Sequence, residues 1–419
     1  MVSSSVPANR ARSPGFRFRN FLFPTRFTAS SFDYDAARVA AIVPTYKPGE
    51  LTVKLVEDLV RWDPNISVYV VDDHTPRSPA SASVFERIAA VSRNVVVLCT
   101  PVNKMKAGAL NFALDHIFGK SGDVPDVILS LDDDIVIVPS TVRNLVSELL
   151  SYKHLGAVCS QCRVLNKNVN IFTRLQGLEY LGFNATRLAD EGFYRGPLVM
   201  HGMLTAFRTS ALREVQGFVE GHLIEDYEIT TRLKACGWSV KLALNAPAWT
   251  LVPETFGKLW RQRTRWLYGG ITVVASSRHL LGVLQDLIGH GVFFATVLAI
   301  DLLILFKGSG QVSPLIAEWV IGLSLLQFAL WYTFQLWLMQ LYEERDWRDW
   351  ALRVSILPEF IYSNLLTVVQ IGAYLFLFFN IIKRSVLKRG KLSSGWFLNL
   401  ITRLFRACGY TESWGTRTL

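Results

Sequence analysis

Ile128-Leu129-Ser130-Leu131-Asp132-Asp133-Asp134-Ile135-Val136-Ile137-Val138 is the stretch that decides the fold. A short apolar run meets three consecutive carboxylates, and a second apolar run resumes at once. Such a run reads as a buried strand, here 127–131, ending where the charges begin. Working outward, Val39-Ala40-Ala41-Ile42-Val43 reads as a first buried strand, 51–62 as a helix and 66–71 as a second strand. Residues 95–99 add a third strand and 107–118 another helix, so that 127–131 is the fourth strand. This alternation predicts an α/β fold with right-handed crossovers and a mostly parallel sheet covered on both faces. Ligands of such sheets collect at the carboxyl ends of the strands. Those ends are Pro44-Thr45-Tyr46, Asp72-Asp73-His74 and Asp132-Asp133-Asp134.

Three adjacent carboxylates repel one another and are costly to leave unpaired, so a cation is expected beside them. A hard divalent ion, Mg2+ or Mn2+, held by one or two carboxylates and by substrate phosphates, suits an all-oxygen site. A solvated acidic turn is the other reading of the triplet. The sequence contains no G-x-x-x-x-G-K-[ST] phosphate loop, so a metal would have to manage phosphate charge.

Composition narrows the classes. The chain has 419 residues, 50% of them hydrophobic, and its mean hydropathy of +0.26 is too apolar for a purely soluble protein. Lys+Arg 44 against Asp+Glu 34 gives a net charge of +10, which suits nucleic acid, anionic lipid or phosphorylated substrates. Twelve Trp favour a membrane interface. Five scattered cysteines offer no disulfide framework and suit a reducing compartment. Cys159-x-x-Cys162 lacks the second pair that a zinc site needs, which leaves buried thiols as the expectation.

Four stretches follow: a basic, aromatic tail over 1–37, a globular domain over 38–270, interfacial and membrane helices over 271–383, and a tail over 384–419. The first tail has no apolar run long enough for a signal peptide or anchor; it can lie on anionic lipid or fray. Residues 288–306 and 316–342 are long enough to span hydrocarbon, with Lys307-Gly308-Ser309-Gly310 as a turn between them. A third apolar stretch, 355–382, is interrupted by Pro358, Glu359, Asn364, Gln370 and Gly372 and reads as re-entrant, interfacial or split into two short crossings. Lys383-Arg384 and Lys388-Arg389-Gly390-Lys391 are expected on the cytoplasmic side. Asp301, Gln327 and Gln335 inside the spans are expected to face protein or water.

Ile42-Val43-Pro44-Thr45-Tyr46, Val71-Asp72-Asp73, Lys104-Met105-Lys106-Ala107-Gly108-Ala109-Leu110-Asn111, Asp132-Asp133-Asp134, Glu225-Asp226-Tyr227-Glu228 and Gln262-Arg263-Thr264-Arg265-Trp266 occur in that order. Together, over roughly residues 40–270, they resemble the processive branch of family 2 glycosyltransferases, which includes cellulose, chitin and hyaluronan synthases. The resemblance implies a GT-A-like, Rossmann-type cytosolic domain on a carboxyl-terminal transmembrane platform. It implies that Thr45, Asp73 and Lys106 hold the nucleotide, and that Asp132 and Asp134 anchor Mg2+ or Mn2+ on the donor's diphosphate, with Asp133 a passenger. Asp226 would be the base that deprotonates the acceptor hydroxyl; Ile224 stands where the family often has Thr. Gln262, Arg265 and Trp266 match Q-x-x-R-W, whose ring supports the acceptor sugar and whose polar groups face the pyrophosphate. Trp414-Gly415-Thr416-Arg417 is similar to a string near the end of hyaluronan synthases, so Trp414 and Arg417 would fold over the donor. The paired amino-terminal spans usual in that branch are missing here. His201 to Arg208 occupy the place of the family's acceptor loop in different wording, which leaves the acceptor sugar unread.

The chemistry can be argued without the family. Displacing a nucleotide diphosphate from an anomeric carbon needs neutralisation of the leaving group and a base for the incoming hydroxyl. Glu225 and Asp226 taken alone can equally be helix amino-terminal acids favoured by the dipole. The expected activity is inverting transfer of a sugar from a UDP-sugar to a growing polysaccharide. The alternative is a non-processive transferase that adds one sugar to a lipid or polyprenyl phosphate. A membrane-tethered binder that has lost catalysis is disfavoured by the intact triplet, Asp226 and Q-x-x-R-W. The expected partners are a nucleotide diphosphate sugar, a glycan acceptor, the lipid bilayer and a second copy of the chain, with no nucleic acid. The expected location is the plasma membrane, with the catalytic domain cytoplasmic.

Overall fold

The computed structural model describes residues 34–119, 124–190, 194–277, 279–307, 313–388 and 395–410. Strands β1 (Val39–Thr45), β2 (Ser67–Asp72), β3 (Val95–Cys99) and β4 (Val127–Leu131) form where the apolar runs predict them. Helices α1 (Glu50–Trp62), α2 (Pro79–Ala90) and α3 (Met105–Gly119) connect them. Next come β5 (Ile135–Ile137), α4 (Pro139–Leu150), β6 (Leu155–Val164), α5 (Ile171–Ala189), β7 (Leu204–Arg208), α6 (Thr209–Glu214), α7 (Glu225–Ala235) and β8 (Ser239–Thr250).

Among the described residues the strands make one eight-stranded sheet in the order β3-β2-β1-β4-β7-β6-β8-β5. The β1–β2, β1–β4, β2–β3 and β6–β8 pairs are parallel. β7 lies antiparallel to both β4 and β6, and β5 is antiparallel to β8. The sheet is therefore mixed, and the mostly parallel expectation holds for the β1–β4 half. After α5 the chain reverses again through 194–203, so β7 enters against both neighbours. Alternate residues serve two cores, as the strand period of two requires. Val43, Val70 and Leu129 face α1 and α4, while Ile42, Val71 and Ile128 face α3 and α7. The Ile42–Ser130 register, continued three places, sets Thr45 beside Asp133.

The carboxyl-terminal part begins with α8 (Phe256–Ser276), which carries the Gln262 to Trp266 segment. It continues with α9 (Leu280–Lys307), α10 (Pro314–Leu338), α11 (Trp347–Ser355), α12 (Leu357–Lys388) and α13 (Gly395–Ala407). The third apolar stretch is one unbroken helix, which rules out the split among its readings. Pro358 sits at its second position, where a missing N–H breaks no helical bond. Among the described residues Ile321–Leu341 and Leu357–Lys383 are long and apolar enough to cross a membrane. The expected span 288–306 forms the latter part of α9, and the expected turn at 308–310 lies outside the described residues. Gln335 turns inward to accept from Arg353 Nη1 at 2.6 Å, whereas Gln327 is exposed.

Charged pairs fasten these helices to the sheet domain. Arg174 on α5 meets Asp346 and Asp349 at 2.7 Å each, and Lys167 meets Asp349 at 3.1 Å. Asp349 is fully buried between both cations, so removing it would take from Lys167 the carboxylate it meets. α12 packs along α8: Asn380 donates to the Tyr268 hydroxyl at 3.1 Å, and Phe376 lies 4.9 Å from the Tyr268 ring. α13 folds back on α12 through Phe405. Tyr410 then donates to the Val369 carbonyl at 2.8 Å, across Gly372, where a Cβ would sit 2.0 Å from that hydroxyl. All five cysteines are free, with Cys159 and Cys162 buried on β6.

Candidate active site

The ends of β1, β2 and β4 bring Thr45, Asp73 and the triplet to one edge of the sheet. The three carboxylates part company there. Asp133 turns into the protein and accepts from Thr45 Oγ1 at 2.5 Å. The expected passenger thus ties β4 to β1. Asp73 is buried as well, and its Oδ1 accepts from the Lys104 N–H at 2.7 Å and from Thr100 Oγ1 at 3.1 Å. It holds the amino-terminal end of α3 against β2. Asp132 and Asp134 remain half-buried beside Asp133.

Lys106, on the first turn of α3, points at the triplet. Its Nζ lies 2.6 Å from Asp132 Oδ1 and 3.0 Å from Glu225 Oε1, and it donates to the Gly202 carbonyl at 2.8 Å. It therefore joins the carboxylate cluster, apart from Thr45 and Asp73. Burial works against its charge, but Asp132, Glu225 and Asp226 outweigh that and hold its pKa above the ordinary lysine value. Gly202 makes this packing feasible. A Cβ there would meet Lys106 Nζ at 2.8 Å and the Asp226 and Glu225 carboxylates at 3.2 Å each.

Glu225 and Asp226 open α7, and their environments drive them apart. Burial opposes ionisation of Glu225, but Lys106, its own backbone N–H and Arg265 prevail and lower its pKa. Asp226 is pushed up to about 6 by burial and by the neighbouring Glu225 charge, against the pull of Lys106. Adjacent carboxyls with separated pKa values are what acid–base chemistry near neutral pH uses. Asp226 Oδ1 also accepts from the Tyr227 N–H at 2.7 Å. Lys106, Gly202, Glu225 and Asp226 line one pocket with Met200, Phe207 and Ile229 behind them.

α8 closes the site. Arg265 is exposed, and its charge reaches Glu225. Trp266 is half-buried, 6.4 Å from the Phe183 ring. Gln262 accepts from Arg263 Nη1 at 2.6 Å. His201 is kept neutral by burial and by Arg187, its pKa falling to about 3, and its Nε2 engages the Ser160 carbonyl at 2.5 Å. Trp414 and Arg417 lie outside the described residues. The sequence reading omitted Glu225 and Gly202 as partners of Lys106; the signals for them were an acid next to Asp226 and a lone glycine before β7.

Among the described residues no group of three or more His, Cys, Asp or Glu side chains forms a ready-made metal cage. Asp132 and Asp134 nevertheless fit a hard cation that substrate oxygens would help to coordinate. The site already selects positive charge: Asp132 holds the Lys106 ammonium.

Carboxylates and a half-buried lysine at the strand ends of a mixed α/β sheet, closed by an amphipathic helix, define a GT-A-like architecture. A mannosyltransferase from Pyrobaculum calidifontis, solved in complex with GDP-Man and Mn2+, shares this fold: TM-score 0.54 and 19% identity over 80% of this chain and 93% of that one. The chain belongs to glycosyl transferase family group 2, whose model it matches over residues 127–380. It is 30% identical over 173 residues to a poly-beta-1,6-N-acetyl-D-glucosamine synthase of Staphylococcus epidermidis, covering 41% of this chain and 40% of the relative. The synthase of the same name from Staphylococcus aureus is 28% identical over 172 residues, with the same coverage. The chain thus spans less than half the length of these curated relatives.

Proposed function

We propose that the protein is an inverting, membrane-attached polysaccharide synthase that transfers a sugar from a UDP-sugar to the end of a growing glycan. The observation that carries this reading is the Lys106 cluster. One carboxyl in it, Glu225, stays ionised against the lysine, while its neighbour Asp226, at about 6, is suited to take a proton. Asp226 accepts the proton of the acceptor hydroxyl as its oxygen attacks the anomeric carbon from the face opposite the nucleotide. Trp266 offers the acceptor ring a flat apolar surface. In this reading Arg265 and Gln262 face the diphosphate and Thr45 and Asp73 the nucleotide, while Lys106, paired with Asp132 and Glu225, faces the donor from the carboxylate cluster. Asp132 and Asp134 would hold Mg2+ or Mn2+, which would help neutralise the charge of the departing diphosphate.

The membrane part of the reading rests on the apolar helices. Leu323 and Leu330 on α10 and Phe378 on α12 are each more than half exposed, as suits contact with lipid. The sheet domain and the basic residues 383–391 then share the cytoplasmic side.

The test is product analysis. Membranes or purified protein are incubated with a panel of labelled nucleotide sugars, and the relatives' product makes UDP-N-acetylglucosamine the first choice. A ladder or high polymer is expected. A single glycolipid would move the assignment to one-step transfer onto a lipid or polyprenyl phosphate, and no transfer from any donor would refute it.

The tail reading is proposed on the same footing. Tyr410 is buried between α12 and α8, next to Trp260, whose Nε1 donates to the Cys408 carbonyl at 2.6 Å. Removing residues 412–419 is expected to leave a folded protein whose donor turnover falls by ~10-fold, about 1.4 kcal/mol. Unchanged turnover would make the string a plain tail.

A further inference from the structure

Position 263 is an unassigned place inside Q-x-x-R-W, yet Arg263 is only 3% exposed. Its Nη2 lies 2.5 Å from Glu179 Oε2 on α5, and its Nη1 donates to Gln262 Oε1 at 2.6 Å. The guanidinium carbon stands 4.2 Å from the centre of the Trp266 ring. Glu179 Oε2 accepts a second hydrogen bond, from the Tyr362 hydroxyl at 2.7 Å. Tyr362 belongs to the long apolar helix α12 and packs with Leu259 and Leu175. One buried cation therefore touches both motif side chains and, through one carboxylate, a helix suited to lie in the membrane.

A buried guanidinium is held where its carboxylate is, because losing that partner would leave its charge uncompensated. A planar fork that also stacks on a ring transmits orientation as well as position. We propose that Arg263, clamped by Glu179 and Tyr362, is a positioning residue that fixes the Trp266 ring, so that α12 sets the geometry of the acceptor side of the site. This rests on the glycosyl-transfer reading above. Arg263 does not touch the reacting atoms; it acts through the Trp266 ring on which it stacks. Its partners are Glu179 and Tyr362, whereas Lys106 pairs with Asp132 and Glu225, so donor binding should change less than transfer.

The test uses the full chain in membranes or lipid nanodiscs, with UDP and UDP-N-acetylglucosamine as probes. Tyr362→Phe keeps the ring beside Leu259 and removes only the hydroxyl; Glu179→Gln keeps the shape and removes the charge. Arg263→Lys keeps the charge without the fork or the stacking. All three should bind UDP and hydrolyse the donor to water within ~2-fold of the unaltered chain, while transfer to acceptor falls by ~10-fold or more. The loss should appear as a raised acceptor KM or a lowered transfer kcat. Tyr362→Phe combined with Arg263→Lys should cost no more than the worse single change, since both act through one clamp. If Glu179→Gln fails to fold, Tyr362→Phe alone decides. Transfer and hydrolysis falling in parallel, additive losses, or unchanged transfer in Tyr362→Phe would each overturn the clamp. An unaltered chain that neither binds UDP nor transfers sugar would overturn the parent reading and this one with it; normal transfer with unaffected variants overturns this one alone.

Discussion

Asp226→Asn is expected to lower sugar transfer by ~10²-fold or more while donor binding survives, because the amide keeps the shape of the carboxylate but cannot take a proton. The setting of the residue supports a large effect. It sits in the pocket with Lys106 and Glu225, and its carboxyl, at about 6, is a stronger proton acceptor than an ordinary aspartate. The sign of the pH dependence follows. Below about 6 the carboxyl gains its proton and can no longer act as a base, so kcat/KM of the unaltered chain should fall as pH drops through that value. The Asn variant should lack this acidic limb. Transfer near the unaltered rate in Asp226→Asn would reduce the residue to a helix amino-terminal acid.

Removal of divalent metal is the second large effect. Transfer should vanish in excess EDTA and return with Mg2+ or Mn2+. Asp134→Ala at saturating metal should lose ~10²-fold or more, the scale of losing one group that neutralises developing charge. The argument is one of charge supply. Among the described residues Lys106 is the cation seen on Asp132, and it is shared with Glu225. A departing diphosphate needs more positive charge than one shared ammonium and Arg265 provide. Mn2+ binding followed by titration with and without UDP gives a readout apart from turnover; affinity should rise when UDP is present. Full turnover in EDTA, or an unaffected Asp134→Ala, would remove the metal assignment.

The half of the fold that begins at Val39 was legible because it is built from short apolar runs joined by amphipathic helices, and burial on both faces of a parallel sheet leaves that signature. β1 to β4 and the helices α1 and α3 fall within a few residues of their predicted limits. β7 was not legible. Leu204-Thr205-Ala206-Phe207-Arg208 carries no local mark of its direction, which is set by the path the chain takes after α5. α12 is continuous where the sequence also allowed a split, because Pro358, Asn364 and Gly372 weaken helix locally. Packing against Tyr268 and Tyr410 overrides that weakness.

The site divides along the same line. The order of motifs along the chain, by its resemblance to family 2 glycosyltransferases, pointed to carboxylates, a lysine and a Q-x-x-R-W string as one candidate site, although charge alone also allowed a solvated acidic turn. What the tertiary structure alone decided is which group faces which. Strand register turns Asp133 inward to Thr45 and leaves Asp132 to Lys106. The approach of β7 puts Gly202 beneath that lysine. The packing of α12 against α5 and α8 makes Arg263 a buried partner of Glu179, remote from it in sequence. Side-chain chemistry is written locally, but pairing energies fall off within a few ångströms, so only the folded distances determine which charges compensate which.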